Sequence, residues 1–188
     1  MARLTTAASL FWALALFAVL GAGPSEGGLV EDLLASFRLF YSAQLPDPVR
    51  IYVKQNTKLN AAVRGSRVVL ANIDCSDESQ LWYPMLSDFK GQGFMLVNKY
   101  TGQALQSAAS MESPMALATP NWKDLSQRFS QGAPRDDGFY QILAFDNPFA
   151  ALNGLKGNVR DGTVIGMYRS DSVYDNSLWN LTTICPFQ

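Results

Sequence analysis

The sequence contains no histidine among its 188 residues. This absence excludes a Ser-His-Asp or Cys-His catalytic set and removes the commonest protein ligand of transition metals. A hydrolase that works with two carboxylates needs no histidine. However, the acidic residues that stand close together, Asp136-Asp137 and Asp171 with Asp175, lie in turn-like sequence and are typical of solvated turns. We therefore expect a protein that is not an enzyme and that uses no metal and no cofactor.

An excess of charge of one sign is also lacking. Fifteen Lys and Arg stand against sixteen Asp and Glu, which gives a net charge of −1 and an isoelectric point near 5.4. Binding that follows the phosphates of a nucleic acid requires a basic patch. No such patch is present in the sequence, and we expect no nucleic-acid partner.

The longest apolar run is too short to be a typical membrane span. It covers residues 10–20, follows Arg3, and leads into small and polar residues at 21–28. Even counted from Ala7 to Gly23 it has seventeen residues, whereas a spanning helix needs about 20. This anatomy is typical of a secretory signal peptide. We predict a signal peptide at residues 1–28, a secreted chain and no membrane insertion of the mature chain; a retained anchor is the alternative.

Residues 29–48 differ from the rest of the chain. Apolar residues recur there at spacings of three to four, with Glu31-Asp32 near the start, which predicts an amphipathic helix over 29–45. Pro46-Asp47-Pro48 ends it and serves as a linker. Two roles stay open for this helix. It packs against the domain that follows, or it binds a partner or serves as a propeptide.

Two cysteines, Cys75 and Cys185, are present. An even count in a secreted chain permits a disulfide, and closing so long a loop would stabilise the fold by about 4–5 kcal/mol. Asn180-Leu181-Thr182 is an acceptor triplet for N-glycosylation. Asn180 follows a candidate core tryptophan, so strand alternation points its side chain outward.

An apolar strand that ends twelve positions before an aromatic occurs three times in the chain. The strand ends and their aromatics are Leu70 and Trp82, Leu117 and Phe129, and Met167 and Trp179. The aromatics are 47 and 50 residues apart, and a fixed period of this size marks a repeat architecture. Two further short strands precede the pattern in each unit, and turns rich in Gly, Asn, Asp and Pro separate the strands. The segment that comprises the aromatic and the two residues before it is predicted to be a strand as well, so each unit has four strands.

Three four-stranded units predict an all-β fold of one kind, the β-trefoil, a closed six-stranded barrel capped by three hairpins. The predicted domain covers residues 49–188, with repeats at about 49–90, 91–137 and 138–185. The three aromatics should form its core, because each buries ~150–250 Å² of apolar surface. They specify the fold and not the function.

The motif around each aromatic resembles that of a known family. The three copies read Gln80-Leu81-Trp82, Gln127-Arg128-Phe129 and Ser177-Leu178-Trp179. A Gln-x-Trp motif in a threefold repeat resembles the ricin B-type lectin domain. Residues 49–52, 80–83, 94–104, 161–165 and 175–179 are similar to the Euonymus-lectin-like branch in particular. The resemblance covers roughly residues 49–183.

The resemblance implies carbohydrate recognition without catalysis. In this family a shallow site within a repeat uses an acidic residue for sugar hydroxyls, an aromatic for the sugar's apolar face, and an Asn beside the Gln-x-Trp glutamine. The stacking position falls near Ala71 and Ala118 in the first two repeats and on Tyr168 in the third. The implied sugar-binding residues are Asn153, Asp161, Tyr168, Asn176 and Ser177.

The third repeat also departs from the family, because Ser177 replaces the glutamine and Asn153 stands where an acid is expected. In the alternative interpretation, Tyr168 is an exposed strand-end aromatic, the Asp-Gly and Asp-Asn pairs form turns, and the sugar site is lost. The function expected from the sequence is a secreted carbohydrate-binding protein with glycans or glycoproteins as partners, which gains avidity if it forms an oligomer. The alternative is a secreted trefoil that binds proteins, such as a protease inhibitor of the soybean-Kunitz type.

Overall fold

The computed structural model describes residues 45–86, 93–108, 110–157 and 159–185. The signal peptide expected at 1–28 and all but the last residue of the helix expected at 29–45 lie outside these ranges. Each successive set of four strands is called a repeat below. The strands are β1 (Arg50–Val53), β2 (Leu59–Arg64), β3 (Arg67–Asn72), β4 (Trp82–Leu86), β5 (Phe94–Asn98), β6 (Ala104–Gln106), β7 (Ala116–Ala118), β8 (Phe129–Gln131), β9 (Ile142–Ala144), β10 (Ala150–Gly154), β11 (Ile165–Arg169) and β12 (Trp179–Thr182).

Six of these strands close into a barrel. Antiparallel pairing runs from β12 to β1, from β4 to β5, and on through β8 to β9. In the first of these pairs Arg50 lies opposite Thr182. Single bridges close the two remaining seams, Val49 with Trp82 and Tyr140 with Trp179. The result is a ring without a free edge, which removes the exposed strand that open sheets must protect.

The other six strands form three hairpins, β2–β3, β6–β7 and β10–β11, that cap one end of the barrel. Bridges between Val69 and Val164 and between Pro114 and Gly166 join them to one another. A six-stranded barrel with a triplet of hairpins is the β-trefoil, as the repeat pattern predicts. No helix in the described ranges is long and apolar enough to cross a bilayer.

The three repeated aromatics lie at the centre of the core, which confirms that prediction. Trp82, Phe129 and Trp179 have no exposed surface. The indole N–H groups of Trp82 and Trp179 donate to the carbonyls of Ala61 and Leu152, at 3.0 and 2.8 Å. Each indole therefore buries its apolar ring while its polar atom keeps a partner, which a tryptophan in a dry core requires.

The glutamines of the motif do not lie on strands, although the pattern predicts a strand through the whole Gln-x-aromatic sequence. Gln80 and Gln127 end the 3-10 helices Glu78–Gln80 and Leu125–Gln127, and each strand starts at the aromatic. Gln80 Nε2 donates to Asn72 O at 2.9 Å, while its Oε1 accepts from the Asp74 N–H at 3.0 Å. The Gln80 amide thus ties the 3-10 helix to the end of β3 and to the loop that follows it.

A disulfide joins Cys75 to Cys185, whose Cα atoms are 6.0 Å apart. The neighbouring contacts hold both ends of the bridge to β1. Arg50 Nη2 donates to Cys75 O at 3.0 Å, and the Tyr52 hydroxyl donates to Ile184 O at 3.2 Å. The chain after β12 is therefore fixed to the barrel by one covalent bond and one hydrogen bond.

Candidate functional site

The turn before the aromatic of the first repeat is closed by its own side chains. The Asp77 carboxylate accepts hydrogen bonds from the backbone N–H and the hydroxyl of Ser79, at 2.9 and 2.6 Å. The Arg64 guanidinium lies against the same pair and donates to Asp77 Oδ2 at 2.7 Å and to the Ser79 hydroxyl. The Arg64 guanidinium therefore covers the turn of the first repeat. The stacking position beside this turn holds Ala71, which has no aromatic ring.

The second repeat closes the same turn with a different partner. Asp124 accepts from the N–H and the hydroxyl of Ser126, at 3.1 and 2.6 Å. Gln106 Nε2 donates to Asp124 Oδ2 at 3.0 Å and to the Ser126 hydroxyl at 2.9 Å. These side chains satisfy one another, and Ala118 occupies the stacking position. In the described parts of the first two repeats, the polar groups of these two turns are paired and the stacking position holds alanine.

The aspartates of these two turns have carboxyl pKa values below the ordinary value. Burial raises the pKa of the Asp77 carboxyl, but the hydrogen bonds from Ser79 and Arg64 outweigh burial and hold the pKa below its ordinary value of 3.8. Hydrogen bonds from Ser126 likewise lower the pKa of Asp124. A lowered carboxyl pKa adds stability that is present above the ordinary value and is lost as the pH falls through the lowered one.

We expect the free energy of unfolding to fall as the pH is lowered from 5 to 2.5, and to fall less steeply in Asp77→Asn. The asparagine keeps the acceptor for Ser79 but loses the titrating charge next to Arg64. Urea unfolding at a series of pH values measures both slopes. Asp136→Asn, at an exposed turn, is the matched control. Equal slopes for the wild type and Asp77→Asn would contradict the assignment.

In the third repeat, the equivalent turn is not closed by hydrogen bonds among its own side chains. Tyr174 stands where the other repeats have aspartate, and no side-chain bond caps the 3-10 helix Asp175–Ser177. Asn176 stands where they have serine, and its Nδ2 donates to Asn153 Oδ1 and Gly154 O, both at 2.9 Å. Within the described part of the chain, Asn153 Nδ2 and Asn176 Oδ1 make no hydrogen bond. One amide donor group and one acceptor are therefore available to a ligand.

These two asparagines line a surface cavity of about 800 Å³, here called the Tyr168 cavity. The half-buried ring of Tyr168, on β11, forms part of its wall, and the exposed Tyr174 forms another part. Asn153 and Asn176 are 3% and 6% exposed, so their position is fixed by packing. The structure thus brings together three of the residues predicted from the sequence: Asn153, Tyr168 and Asn176.

A carboxylate stands at the rim of the Tyr168 cavity. Asp175 lines the cavity, and its side chain is 58% exposed. Lys54 Nζ lies 3.6 Å from Asp175 Oδ1 and 2.7 Å from Asp137 Oδ2. The hydrogen bond with Asp137 raises the pKa of Lys54, so the cation stays charged beside both acids. The Asp175 carboxylate, which is largely exposed, is therefore accessible to a hydroxyl donor at the rim of the cavity.

Two of the predicted residues lie elsewhere. Asp161 lines a neighbouring cavity of about 570 Å³, here called the Asp161 cavity, and its Oδ1 accepts from the Asn72 N–H at 3.1 Å. Ser177 is fully buried, and its hydroxyl donates to Tyr174 O at 2.8 Å. Ser177 lines neither cavity and supports the turn that carries Tyr174.

Sequence reasoning missed Tyr174, Glu112 and Lys156. Tyr174 has a signal in the sequence, because aligning the three turns places it opposite Asp77 and Asp124. Glu112 belongs to the second repeat and reaches the third through its N–H, which donates to Met167 O at 2.8 Å. A contact between residues of two different repeats leaves no pattern in the sequence near either residue.

The acceptor asparagine of the glycosylation triplet lies on β12 and is half-buried. Asn180 Nδ2 donates to Gly138 O at 3.0 Å, and this contact is on the surface. Tyr52 is its partner residue across the β1–β12 pair. The side chain lies at the barrel surface and lines neither cavity.

No protein-family model matches the sequence, but curated relatives do. Ricin B-like lectin R40G3 of Oryza sativa subsp. japonica is 32% identical over 151 residues, which cover 72% of this chain and 74% of that protein. Ricin B-like lectin EULS3 of Arabidopsis thaliana is 31% identical over 147 residues, which cover 71% of this chain and 46% of that protein. Ricin B-like lectin R40C1 of Oryza sativa subsp. japonica is also 31% identical, with 42% of it covered. The chain therefore spans less than half the length of the last two relatives.

Solved structures show the same fold. The designed threefold-symmetric protein ThreeFoil superposes with a TM-score of 0.64 at 18% identity, covering 73% of this chain and 99% of that one. The Macrolepiota procera ricin B-like lectin in complex with lactose superposes with a TM-score of 0.58 at 10% identity, covering 71% and 93%. At these identities the likeness concerns the fold alone, which is the β-trefoil.

Proposed function

The chain belongs to the ricin B-like lectin family, and on that premise we propose that it is a secreted, non-catalytic carbohydrate-binding protein with its sugar site in the Tyr168 cavity. The curated relatives are named as lectins, and one trefoil of similar fold was solved with lactose. Its partners on this proposal are glycans or glycoproteins. Secretion rests on the signal-peptide pattern of residues 1–28, and the disulfide agrees with an oxidising compartment.

The observation that carries the proposal is an aromatic ring beside unpaired amide groups. A pyranose has a face of C–H groups that packs on a ring, and a rim of hydroxyls that need donors and acceptors. Tyr168 supplies the ring, while Asn153 Nδ2 and Asn176 Oδ1 supply the donor and the acceptor. Because these amides are buried, an epimer that misplaces one hydroxyl leaves them unpaired, which is the source of selectivity.

The described parts of the other two repeats do not offer this combination at the equivalent turn. Arg64 covers the turn in the first repeat, and Gln106 pairs with Asp124 and Ser126 in the second. One shallow site per chain gives weak binding to a single sugar. Strong attachment to a surface then requires several sites acting together, through an oligomer or a repeated glycan.

A glycan array with the purified wild type and Tyr168→Ala, followed by titration of the glycans that bind, tests the proposal. Since an aromatic contact contributes about 0.5–1.5 kcal/mol beyond the area it buries, we expect Kd to rise by about tenfold or more in Tyr168→Ala. Tyr168→Phe keeps the ring and should retain binding.

The matched control is Tyr100→Ala. Tyr100 is 72% exposed and lines neither cavity, so its removal should leave Kd unchanged. Two results would overturn the proposal: a folded wild type that binds no glycan on the array, or a Tyr168→Ala variant that binds as tightly as the wild type. The first result would favour the alternative function, a trefoil that binds proteins such as proteases.

A further inference from the structure

We propose that the third-repeat site takes a neutral oligosaccharide of at least two or three sugars, which runs from the Tyr168 cavity into the Asp161 cavity. The inference rests on the proposed function and specifies its ligand class. A site for one terminal sugar needs the Tyr168 cavity alone. The Asp161 cavity would hold the next sugar of a longer glycan.

The two cavities adjoin one another, and together they are called the groove below. They share Glu112, Leu155 and Lys156 in their walls. Their volumes are about 800 and 570 Å³, and each falls in the range of about 300–1,000 Å³ that accommodates a drug-sized molecule. A single pyranose seated on Tyr168 would leave the Asp161 cavity empty.

The lining of the Asp161 cavity suits a second sugar ring. Pro114, Leu155 and Val164 give it apolar surface for a C–H face. The Asp161 carboxylate uses one oxygen for the Asn72 N–H at 3.1 Å and has acceptor capacity left for hydroxyls. Arg160 is exposed at the same wall and forms no salt bridge within the described part of the chain, so its donors can serve a ligand.

The junction between the cavities is built from strained backbone. Glu112 and Lys156 have φ of 62° and 68°, the positive values that side-chain-bearing residues rarely adopt, and no other described residue except glycine does so. Backbone hydrogen bonds hold both flanks of the junction, from the Glu112 N–H to Met167 O at 2.8 Å and from the Leu155 N–H to Val164 O at 3.0 Å. Strain of this kind concentrates at ligand clamps.

Charge along the groove points to a neutral ligand. Lys156 and Arg160 supply two cations, and Glu112, Asp161 and Asp175 supply three carboxylates. An acidic sugar would meet carboxylates in either cavity, and like charges this close disfavour binding. Hydroxyls accept from the cations and donate to the carboxylates, so a neutral glycan pairs with both kinds of group.

The test is a length series in two neutral sugars, measured by calorimetry on the full chain. One series is galactose, lactose and lacto-N-neotetraose, and the other is mannose, mannobiose and mannotriose. In the series that binds, we expect the longest member to bind at least about tenfold more tightly than the monosaccharide. Arg160→Ala and Asp161→Asn should remove most of that gain and leave the Kd of the monosaccharide unchanged. Asp161→Asn keeps the acceptor for Asn72, so the loop stays folded.

Arg67→Ala is the matched control, because Arg67 is exposed on β3 and lines neither cavity. The inference fails if affinity does not rise with length, or if Arg160→Ala and Asp161→Asn both leave the rise intact. It also fails if a sialylated lactose binds more tightly than lacto-N-neotetraose. These outcomes differ from failure of the proposed function, in which no sugar of any length binds or Tyr168→Ala has no effect.

Discussion

Replacing Trp179 by alanine should lower the free energy of unfolding by about 3–5 kcal/mol, the range found when a large aromatic is removed from a packed core. Trp179 is fully buried, and its indole N–H donates to Leu152 O at 2.8 Å. The alanine leaves a cavity and a buried carbonyl without its partner, and both are unfavourable. The same residue forms the bridge to Tyr140 that closes one seam of the barrel.

Urea unfolding followed by circular dichroism measures this change without depending on tryptophan fluorescence. Trp122→Ala serves as the matched control, since Trp122 is 37% exposed in a turn and its loss should cost well under half as much. A loss below about 1 kcal/mol for Trp179→Ala would mean that the core is not packed around this residue.

Breaking the disulfide should have a comparable effect through the unfolded state. The bridge spans 110 residues, and the chain-entropy model assigns a loop of this length about 4–5 kcal/mol of stabilisation. Because β12 still pairs with β1 and Tyr52 still holds Ile184, we expect the double variant Cys75→Ser, Cys185→Ser to fold at low temperature and to unfold at much lower urea.

Urea unfolding of the wild type with and without a reducing agent, next to the double variant, checks this expectation. The reduced wild type and the double variant should unfold together, and the reducing agent should not affect the variant. A difference below about 1 kcal/mol between oxidised and reduced wild type would show that the unfolded chain is little constrained by the bridge.

The fold was predictable from the sequence because its signal is periodic. The spacing of twelve residues between strand end and aromatic places Trp82, Phe129 and Trp179 at equivalent points of three repeats, and all three are buried. The glutamines were harder to place. Gln80 is fully buried because its amide pairs with Arg50 and Asn60 and with the backbone at the end of β3 and just after it. The hydrophobic pattern of the sequence does not reveal such hydrogen bonds.

The candidate site was predictable where it depends on one repeat. Tyr168, Asn153 and Asn176 lie on one hairpin and its following turn, and they meet in one cavity. Asp161 belongs to the same repeat, but its turn extends toward Asn72 of the first repeat and so lines a different cavity. Glu112 comes from the second repeat, and its position depends on how the three hairpins pack.

The pairing of Arg50 with Thr182 has a consequence for how this domain can be used in larger proteins. The first and last strands, β1 and β12, are paired in the barrel, so the chain enters and leaves the trefoil at neighbouring points. A short linker can therefore join β1 to β12 while the chain is opened at a hairpin tip, a circular permutation that keeps every strand pair. The same geometry allows the whole domain to be inserted into a surface loop of a host protein, with both connections leaving side by side.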